Sequence, residues 1–297
     1  MNVSKLWNDY QLLDASDGKR LECWGRYFLV RPDPQVIFST DKLHPKWKTA
    51  DAYYHRSASG GGHWEYMRQP PVSWSVCWDN HIRLKVMLTS FKHTGVFPEQ
   101  GVNWDIYQNL IASSDDKVEV LNLFGYTGGA SVACLKAGAS VCHVDASKGM
   151  IAQAKENCIL SGVREQPIRF IAEDCRRFIE REIRRNKKYD AVIMDPPSYG
   201  RGPSGERWKL EDDIFSLVNL TKEVVREDPL FFVINSYSAS LSPSVMQVIL
   251  SLVFGDRGGS VTADELGIPI VDTEIAIPSG ATAYYIAKDK TIKKKLT

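Results

Sequence analysis

The sequence lacks the features that assign a chain to a membrane or to export. No apolar run reaches the roughly 18 residues that span a bilayer. The first 11 residues lack the apolar segment of a signal peptide. We therefore expect a cytoplasmic protein that does not associate with membranes. Lys and Arg total 37 and Asp and Glu total 36, a net charge of +1, which excludes binding driven by a large overall positive charge but allows a local basic patch.

Cysteine is sparse and shows no ligand pattern. The 6 cysteines form no Cys-x-x-Cys pair, and no histidine cluster completes a zinc site. We therefore predict reduced packing cysteines and no metal site. With 43% hydrophobic and 25% charged residues, the chain is neither disordered nor dependent on disulfides. Its 297 residues suit either one large domain or a domain of about 170–200 residues plus a smaller one.

The N-terminal third differs from the remainder in composition. Residues 18–88 are rich in Trp, Tyr, Gly and Pro. Short apolar alternations at residues 24–30 and 82–88 predict strands, and Gly- and Pro-rich stretches between them predict turns. Residues 1–91 are therefore predicted to form a small, irregular β-rich domain.

From about residue 116 the pattern alternates between strand and helix. Apolar runs predict a buried strand at residues 118–124 and four further strands at residues 140–145, 168–172, 189–194 and 230–234. Repeated βα units predict an α/β fold with a parallel sheet covered by helices on both faces. Residues 268–277 and 281–287 predict a final antiparallel hairpin that turns at Pro278-Ser279-Gly280. In such sheets ligands bind outside the carboxyl ends of the strands.

A glycine-rich loop follows the first of these strands. It reads Phe124-Gly125-Tyr126-Thr127-Gly128-Gly129, and it is neither the G-x-G-x-x-G motif nor a phosphate-binding P-loop. Glycines let the backbone approach a ligand, and N–H groups at the start of a helix hold polar ligand atoms. The alternative is a tight connection without a ligand.

Acidic residues end the next two strands. Asp145 lies 23 positions after Asn122, about the spacing at which a carboxylate accepts the ribose hydroxyls of an adenosine-containing cofactor. The alternative for Asp145 is a loop or capping role. Glu173-Asp174-Cys175 ends the third strand, where an acid suits an adenine amino group or, alternatively, caps the next helix.

The fourth strand ends in the most informative motif, Asp195-Pro196-Pro197-Ser198-Tyr199. Two prolines fix the backbone just beyond the strand and leave carbonyl groups without competing N–H groups. An acid, a stiff row of acceptors and a nearby aromatic ring favour a site for a planar substrate over a plain turn.

Together these segments resemble the class I S-adenosylmethionine-dependent methyltransferases over about residues 92–288. Within that class the chain is similar to the bacterial large-subunit ribosomal RNA methyltransferases. Besides the segments above, Lys92-His93-Thr94-Gly95-Val96-Phe97-Pro98-Glu99-Gln100 is similar to the Lys-Thr-Gly-x-Phe-Leu-Asp-Gln segment of that group. The resemblance implies a Rossmann-like, doubly wound, mostly parallel seven-stranded sheet in residues 92–297. It also implies S-adenosyl-L-methionine as the cofactor.

The resemblance assigns roles to matching positions. The methionine part of the cofactor is surrounded by the Phe124 loop, the ribose is held by Asp145, and the adenine meets Asp174 and Cys175. Phe97 and Gln100 close the site from the N-terminal side. The full predicted cofactor set is Phe97, Gln100, Asn122, Phe124, Gly125, Tyr126, Thr127, Gly128, Asp145, Ala146, Ser147, Asp174 and Cys175. The predicted catalytic set is Asp195, Pro196, Pro197 and Tyr199.

The sequence departs from this group in two ways. Cytosine-5 members carry a cysteine after the fifth strand that adds to the base, whereas this chain has Tyr237 there. We therefore predict methylation at nitrogen. The small RNA-binding domain of the group is also not recognisable, and residues 1–91 take its place as the candidate for acceptor recognition.

RNA, ribosomal or otherwise structured, is the predicted methyl acceptor. Basic residues cluster at Arg176, Arg177, Arg181, Arg184, Arg185, Lys187 and Lys188, and again at Lys42, His44, Lys46 and Lys48. The alternative for the first cluster is a solvated helix face, where cations near the end of a helix suit its dipole. Aromatic residues near the second cluster, Trp47, Tyr53, Tyr54, Trp64 and Tyr66, suit stacking on bases or, alternatively, packing in a core. Two other functions stay open, a methyltransferase for a protein or small molecule and a non-catalytic module that binds the cofactor or RNA.

Overall fold

A computed structural model describes residues 1–57, 61–201 and 207–288. The chain divides into two compact units. The first comprises Met1–Val102 with Leu266–Ser279, and the second comprises Asn103–Glu265 with the residues from Gly280 onward. In the part of the chain that the structure describes, no helix has both the length and the apolar character needed to cross a bilayer.

The first unit consists largely of antiparallel strands. Its strands are β1 (Asn2–Val3), β2 (Tyr10–Ser16), β3 (Lys19–Trp24), β4 (Tyr27–Pro32), β5 (Ala52–Arg56), β6 (Gly62–Tyr66), β7 (Trp74–Trp78) and β8 (Ile82–Val86). Strands β2 to β6 pair in chain order, and β7 pairs with β8. Two short 3-10 helices, η1 (Pro45–Trp47) and η2 (Pro98–Gln100), lie in its connections. Among β2 to β8 the pairing is antiparallel except between β4 and β5, and β1 pairs in parallel with β16.

The prediction of a single strand at residues 24–30 is wrong. Trp24 ends β3 and pairs with Tyr27, the first residue of β4, across a two-residue turn. Gly25 adopts φ +67 in this turn, a left-handed conformation that glycine tolerates best. The apolar residues on either side of the turn imitate the alternation of one continuous strand. The prediction at residues 82–88 is confirmed as β8.

The second unit alternates strands and helices, as predicted. After α1 (Gly101–Ala112), its elements are β9 (Glu119–Leu123), α2 (Gly129–Lys136), β10 (Ser140–Asp145), α3 (Lys148–Leu160), β11 (Ile168–Ala172), α4 (Cys175–Arg184), β12 (Ala191–Met194), β13 (Tyr199–Arg201), β14 (Arg207–Lys209), α5 (Leu210–Lys222), β15 (Phe231–Ser236), α6 (Pro243–Phe254), η3 (Gly255–Arg257), β16 (Ser260–Pro269) and β17 (Ala276–Ile286).

The central sheet has the order β1-β16-β17-β15-β12-β9-β10-β11. It has eight strands where seven were predicted, because the two-residue strand β1 pairs with β16 at its edge. Strands β11, β10, β9, β12 and β15 are parallel, and β17 runs antiparallel to β15. These pairings confirm the predicted Rossmann-like sheet with an antiparallel C-terminal pair. The strand order reverses between β9 and β12, and this switch point is where open α/β sheets bind ligands.

The C-terminal hairpin turns at a different place from the predicted one. Pro278-Ser279-Gly280 lies within β17, and the turn falls between β16 and β17, where Ile270 N–H donates to Ile275 O at 2.9 Å. Asp272 adopts φ +58 in this turn, which aspartate tolerates better than most residues. Proline and glycine also occur inside strands at irregular positions, so the Pro-Ser-Gly signal is ambiguous.

Candidate active site

The backbone after β9 holds two aromatic residues in an uncommon conformation. Phe124 and Tyr126 have φ values of +56 and +50, in the left-handed region that costs non-glycine residues about 1–3 kcal/mol each. Gly125 lies between them and donates its N–H to Val144 O on β10 at 2.9 Å. A Cβ on Gly125 would lie 2.5 Å from Nδ1 of His143. The turn is therefore too close to β10 for any other residue at this position.

Asp145, at the end of β10, anchors this turn. Its Oδ2 accepts from Tyr126 N–H at 2.9 Å and its Oδ1 from Ser147 N–H at 2.8 Å. Burial raises the pKa of this carboxyl, and the hydrogen bonds from Ser147 and Tyr126 oppose that shift. Each carboxylate oxygen keeps further acceptor capacity, so Asp145 can bind a ligand hydroxyl while it holds the backbone in place.

The end of β11 lies against the same turn. Glu173 N–H donates to Asp145 O at 3.1 Å, and Asp174 caps α4 by accepting from Arg177 N–H at 3.0 Å. The Cys175 thiol is buried and hydrogen-bonded to the Phe124 backbone. Burial chiefly raises its pKa, and the nearby carboxylates of Asp145, Asp174 and Glu173 raise it further. The structure thus brings together residues predicted from three separate strand ends.

The proline motif follows β12 on the other side of β9. Asp195 N–H donates to Leu123 O at 3.4 Å, which ties the motif to the strand that carries the glycine-rich turn. The sequence predicts free carbonyl groups here, but Pro197 O accepts from the Trp208 indole N–H at 2.6 Å. Among the described residues, no donor bonds Pro196 O. The motif therefore offers one backbone acceptor next to the Asp195 carboxylate.

Trp208 is a site residue that the sequence reasoning missed. It lies on β14, which pairs with β13 in a small antiparallel hairpin. Its ring centroid is 5.8 Å from that of Phe124, so it packs beside the residue that opens the glycine-rich turn. The Gly- and Pro-rich stretch at residues 200–205 was the available signal for a hairpin. Tyr199 begins β13 and is exposed, with the Arg207 guanidinium 5.6 Å from its ring centre.

A buried polar chain below the turn was also missed. Asn122 donates from Nδ2 to Ser131 Oγ at 2.8 Å, and Ser131 Oγ lies 2.9 Å from His143 Nδ1. Burial lowers the pKa of His143 to about 4, against an opposing hydrogen bond to the Tyr126 backbone. The imidazole is therefore neutral at pH 7. Asn122 is predicted to contact the cofactor, but its side-chain amide donates to Ser131, in the helix that follows the turn.

The position after β15 carries no cysteine. Tyr237 is 38% exposed there, and Asn235 before it is buried, accepting from Asn103 Nδ2 at 2.9 Å. All six cysteines are free thiols, and five of them are buried. Burial raises the pKa of the Cys158 thiol to about 11 and raises the pKa of the Cys134 and Cys142 thiols. These thiols are therefore not ionised nucleophiles at neutral pH.

The remaining predicted residues lie at the margins or in the first unit. Ala146 and Ser147 are exposed just after β10, and Ser147 caps α3 as predicted. Gly128, at φ +86, is the N-cap residue before α2, and Asn157 Nδ2 donates to Thr127 O at 2.7 Å. Phe97 and Gln100 belong to the first unit, where Gln100 N–H donates to Phe97 O at 3.1 Å. Their contact with a cofactor stays a prediction.

Three comparisons with known proteins bear on this site. The family model for S-adenosylmethionine-dependent methyltransferases matches residues 51–238. The crystal structure of a SAM-dependent methyltransferase from Agrobacterium tumefaciens is 34% identical, with a TM-score of 0.91 over 96% of this chain and 92% of that chain. The candidate methyltransferase SMU.776, solved in complex with SAH, is 21% identical with a TM-score of 0.73 over 96% of this chain and 76% of that one, and shows the fold alone.

A curated relative adds a named acceptor. The ribosomal RNA large subunit methyltransferase K/L of Pseudoalteromonas atlantica is 33% identical over 150 residues. This match covers 50% of the chain but only 20% of the relative. The chain therefore spans about a fifth of the length of the curated relative that it matches.

Proposed function

Because the chain belongs to the S-adenosylmethionine-dependent methyltransferase family, we propose that it transfers the methyl group of that cofactor to a base in ribosomal or other structured RNA. The observation that carries the proposal is the convergence of Asp145 and Cys175 on one glycine-rich turn at the switch point of the sheet, with Asp195 bonded to Leu123, the last residue of the strand before that turn. The identity with the large-subunit ribosomal RNA methyltransferase supports RNA as the acceptor.

The residues around the turn fit the cofactor. The left-handed Phe124 and Tyr126 and the absence of a Cβ at Gly125 shape a cradle of backbone beside β10. Asp145 suits the ribose hydroxyls, because its half-buried carboxylate keeps acceptor capacity toward the cradle. Asp174 and Cys175 border the same turn and suit the adenine end. Phe97, Gln100, Ala146 and Ser147 complete the proposed binding set.

Asp195 and Pro196 are proposed to position the methyl acceptor. Bound S-adenosylmethionine supplies an electrophilic methyl carbon on its sulfonium. The Asp195 carboxylate and Pro196 O are hydrogen-bond acceptors held at the end of β12, so they suit the hydrogens of a base amino group and direct its nitrogen lone pair. Formation of the new N–C bond would break the bond between the methyl carbon and sulfur and leave the cofactor as a neutral thioether. The nitrogen would then lose a proton, for which the Asp195 carboxylate is a suitable acceptor. Tyr199 and Pro197 border this position.

Nitrogen is favoured over carbon 5 of cytosine as the methylated atom. A carbon acceptor needs a cysteine thiolate to add to the base first. Tyr237 stands where the family cysteine was expected, and burial raises the pKa of the Cys175 thiol near the turn. Methylation at nitrogen needs positioning and a proton acceptor but no covalent adduct.

The proposal also assigns a separate role to each of the two predicted domains. Residues 92–297 would carry cofactor binding and transfer, and residues 1–91 would recognise the acceptor. Ribosomal RNA as the acceptor implies that the protein works in the cytoplasm. The net charge of +1 favours the runner-up, a protein or small-molecule acceptor.

Labelled methyl transfer separates these acceptors. The full-length protein is incubated with methyl-tritiated S-adenosylmethionine and, in separate reactions, large-subunit ribosomal RNA transcribed in vitro, purified ribosomal proteins and the small-molecule fraction of a lysate. We expect label in the RNA that ribonuclease releases. Label confined to protein or to small molecules would replace the proposal with the runner-up.

The Asp195→Ala variant tests the catalytic assignment. Calorimetry should show cofactor binding within about twofold of the wild type, because Asp195 faces the acceptor, while transfer to RNA falls by about 100-fold, as for loss of a positioned acid–base group. The exposed Asp256→Ala change is the matched control. Unchanged transfer by Asp195→Ala would remove Asp195 from the mechanism.

A further inference from the structure

A basic groove lies in the first unit, and none of its lining residues belongs to the candidate active site. A cavity of about 560 Å³ is lined by four cationic side chains, Arg26, Lys46, Lys48 and Arg68. Phe28 and Asp51 form part of its wall. We refer to this cavity as the Arg26 groove. Lys46 and Lys48 belong to a basic cluster already evident in the sequence, whereas Arg26 and Arg68 join them only in the fold.

The groove has four cationic lining residues but only one carboxylate to neutralise them. Asp51 is its one acidic lining residue, and its two oxygens are already occupied. Oδ2 accepts from Phe28 N–H at 2.7 Å, and Oδ1 pairs with Arg68 Nε at 2.5 Å. Among the described residues, no carboxylate forms an ion pair with Arg26, Lys46 or Lys48. Three cations therefore face one cavity without a counter-charge.

Aromatic rings hold two of these cations in place. The Lys46 ammonium lies 4.3 Å from the centre of the Phe28 ring. Arg26 donates from Nε to Tyr27 Oη at 3.0 Å, and its guanidinium lies 5.3 Å from the centre of the Tyr27 ring. Arg68 lies 5.5 Å from the same ring. Such contacts reduce the entropy that the cations lose when an anion binds.

We propose that the Arg26 groove binds the phosphodiester backbone of the RNA acceptor. The inference rests on the proposed function and locates part of the acceptor site. A run of phosphates supplies several negative charges that match the three unpaired cations, and Arg and Lys are the usual phosphate contacts. The rings of Phe28 and Tyr27 are engaged by cations, so the groove contacts phosphates without stacking on bases. Recognition of sequence is left to the active site.

Binding of a fluorescein-labelled oligouridine across a salt series tests the groove. The Arg26→Gln, Lys46→Gln, Lys48→Gln triple variant should bind at least tenfold more weakly at low salt. Single-stranded RNA contributes a log–log salt slope of about −0.7 for each phosphate neutralised, so three lost contacts should flatten the slope by about 2. The control triple variant, Lys117→Gln, Lys136→Gln and Arg164→Gln, removes three exposed cations of the second unit and should leave the slope unchanged.

The outcomes separate this inference from the proposed function. One result would be that the wild type methylates ribosomal RNA while the groove and control triple variants show equal salt slopes for oligouridine binding. That result overturns RNA binding by the groove and leaves the proposed function standing. Tight binding of polyglutamate that competes fully with oligouridine also overturns it, in favour of an acidic protein partner. As a control for folding, the groove triple variant must bind S-adenosylmethionine in calorimetry with the same Kd as the wild type. If the triple variant does not fold, the Lys46→Gln, Lys48→Gln double variant should flatten the slope by about 1.4.

A different result bears on the proposed function. If the wild type methylates no RNA, the proposed function is overturned, whatever the groove variants show.

Discussion

Trp208 donates its indole N–H to the carbonyl oxygen of Pro197 at 2.6 Å, which fixes the proline motif from outside the sheet. The same indole lies beside Phe124, with ring centroids 5.8 Å apart. One side chain thus connects the motif proposed to position the acceptor with the turn proposed to hold the cofactor. Because Pro197 O is occupied, we propose Pro196 O as the carbonyl that contacts the substrate.

Trp208→Phe should impair transfer more than cofactor binding. The change keeps an aromatic ring near Phe124 but removes the N–H donor, whose net contribution is about 1 kcal/mol. We expect kcat for RNA methylation to fall by about fivefold while the Kd for S-adenosylmethionine changes less than twofold. Calorimetry and methyl transfer measured on one preparation provide the comparison. A Kd that weakens in proportion to kcat would contradict the positioning role of the hydrogen bond.

Asp145→Asn should weaken cofactor binding. The amide replaces one carboxylate oxygen with a donor, so the N–H of Tyr126 or Ser147 loses its acceptor and the turn loses an anchor. We expect the Kd for S-adenosylmethionine to rise by at least tenfold, a loss of about 1.4 kcal/mol. Calorimetry on Asp256→Asn, an exposed change, serves as the control. Wild-type affinity in Asp145→Asn would exclude the carboxylate from the site.

Two glycine substitutions distinguish close packing from backbone conformation. In Gly125→Ala the new Cβ would lie 2.5 Å from His143 Nδ1, whereas Gly138 has φ +93 and nothing within 4 Å of the position of a Cβ. We expect Gly125→Ala to lower the free energy of unfolding by about 2 kcal/mol and to weaken cofactor binding. Gly138→Ala should lower it by about 1 kcal/mol and leave the cofactor Kd unchanged. Urea denaturation and calorimetry provide both readouts, and equal cofactor affinities in the two variants would contradict the close approach at Gly125.

His143 should make stability depend on pH in acid. Burial lowers its folded-state pKa to about 4 from an ordinary value of 6.5. Between these values the unfolded chain holds a proton that the folded chain does not, so unfolding is favoured as pH falls. The contribution is complete above pH 6.5 and declines by about 3 kcal/mol by pH 4, taking 1.36 kcal/mol for each pKa unit.

Urea midpoints measured from pH 7 to pH 4.5 test this dependence. The His143→Gln variant cannot take up the proton, so its midpoint should fall less steeply with acidity than that of the wild type, whatever its stability at pH 7. His63→Gln, an exposed change in the first unit, should keep the wild-type pH dependence. Parallel curves for wild type and His143→Gln would show that this histidine is not buried in its neutral form.

The parallel strands were predictable because burial on both faces makes them continuous apolar runs. The predicted strand at residues 140–145 coincides with β10, whose four central residues are buried. The predicted strand at residues 168–172 coincides with β11, an edge strand that is only partly buried. The convergence of strand ends was predictable because parallel strands present their carboxyl ends at one edge. The proximity of Asp145 to the Phe124 turn is the clearest case.

Other features depended on contacts that no periodicity records. The β13–β14 hairpin consists of strands of three residues each, too short to show alternation, so the Gly- and Pro-rich stretch at residues 200–205 was the one sequence signal for the hairpin that carries Trp208. The bond between Asn122 and Ser131 depends on how α2 packs on β9. The Arg26 groove unites residues from separate connections, so only its Lys46 and Lys48 portion was evident as a cluster along the chain.

Nucleoside mass spectrometry of treated RNA tests the central claim most directly. Large-subunit ribosomal RNA transcribed in vitro is incubated with the wild-type protein and S-adenosylmethionine, digested to nucleosides and compared with a reaction containing Asp195→Ala. The account predicts a nucleoside heavier by one methyl group, with that group on a base nitrogen, formed by the wild type and nearly absent with the variant. Formation of 5-methylcytidine, or RNA that remains unmethylated while protein in the same reaction gains the methyl group, would contradict it.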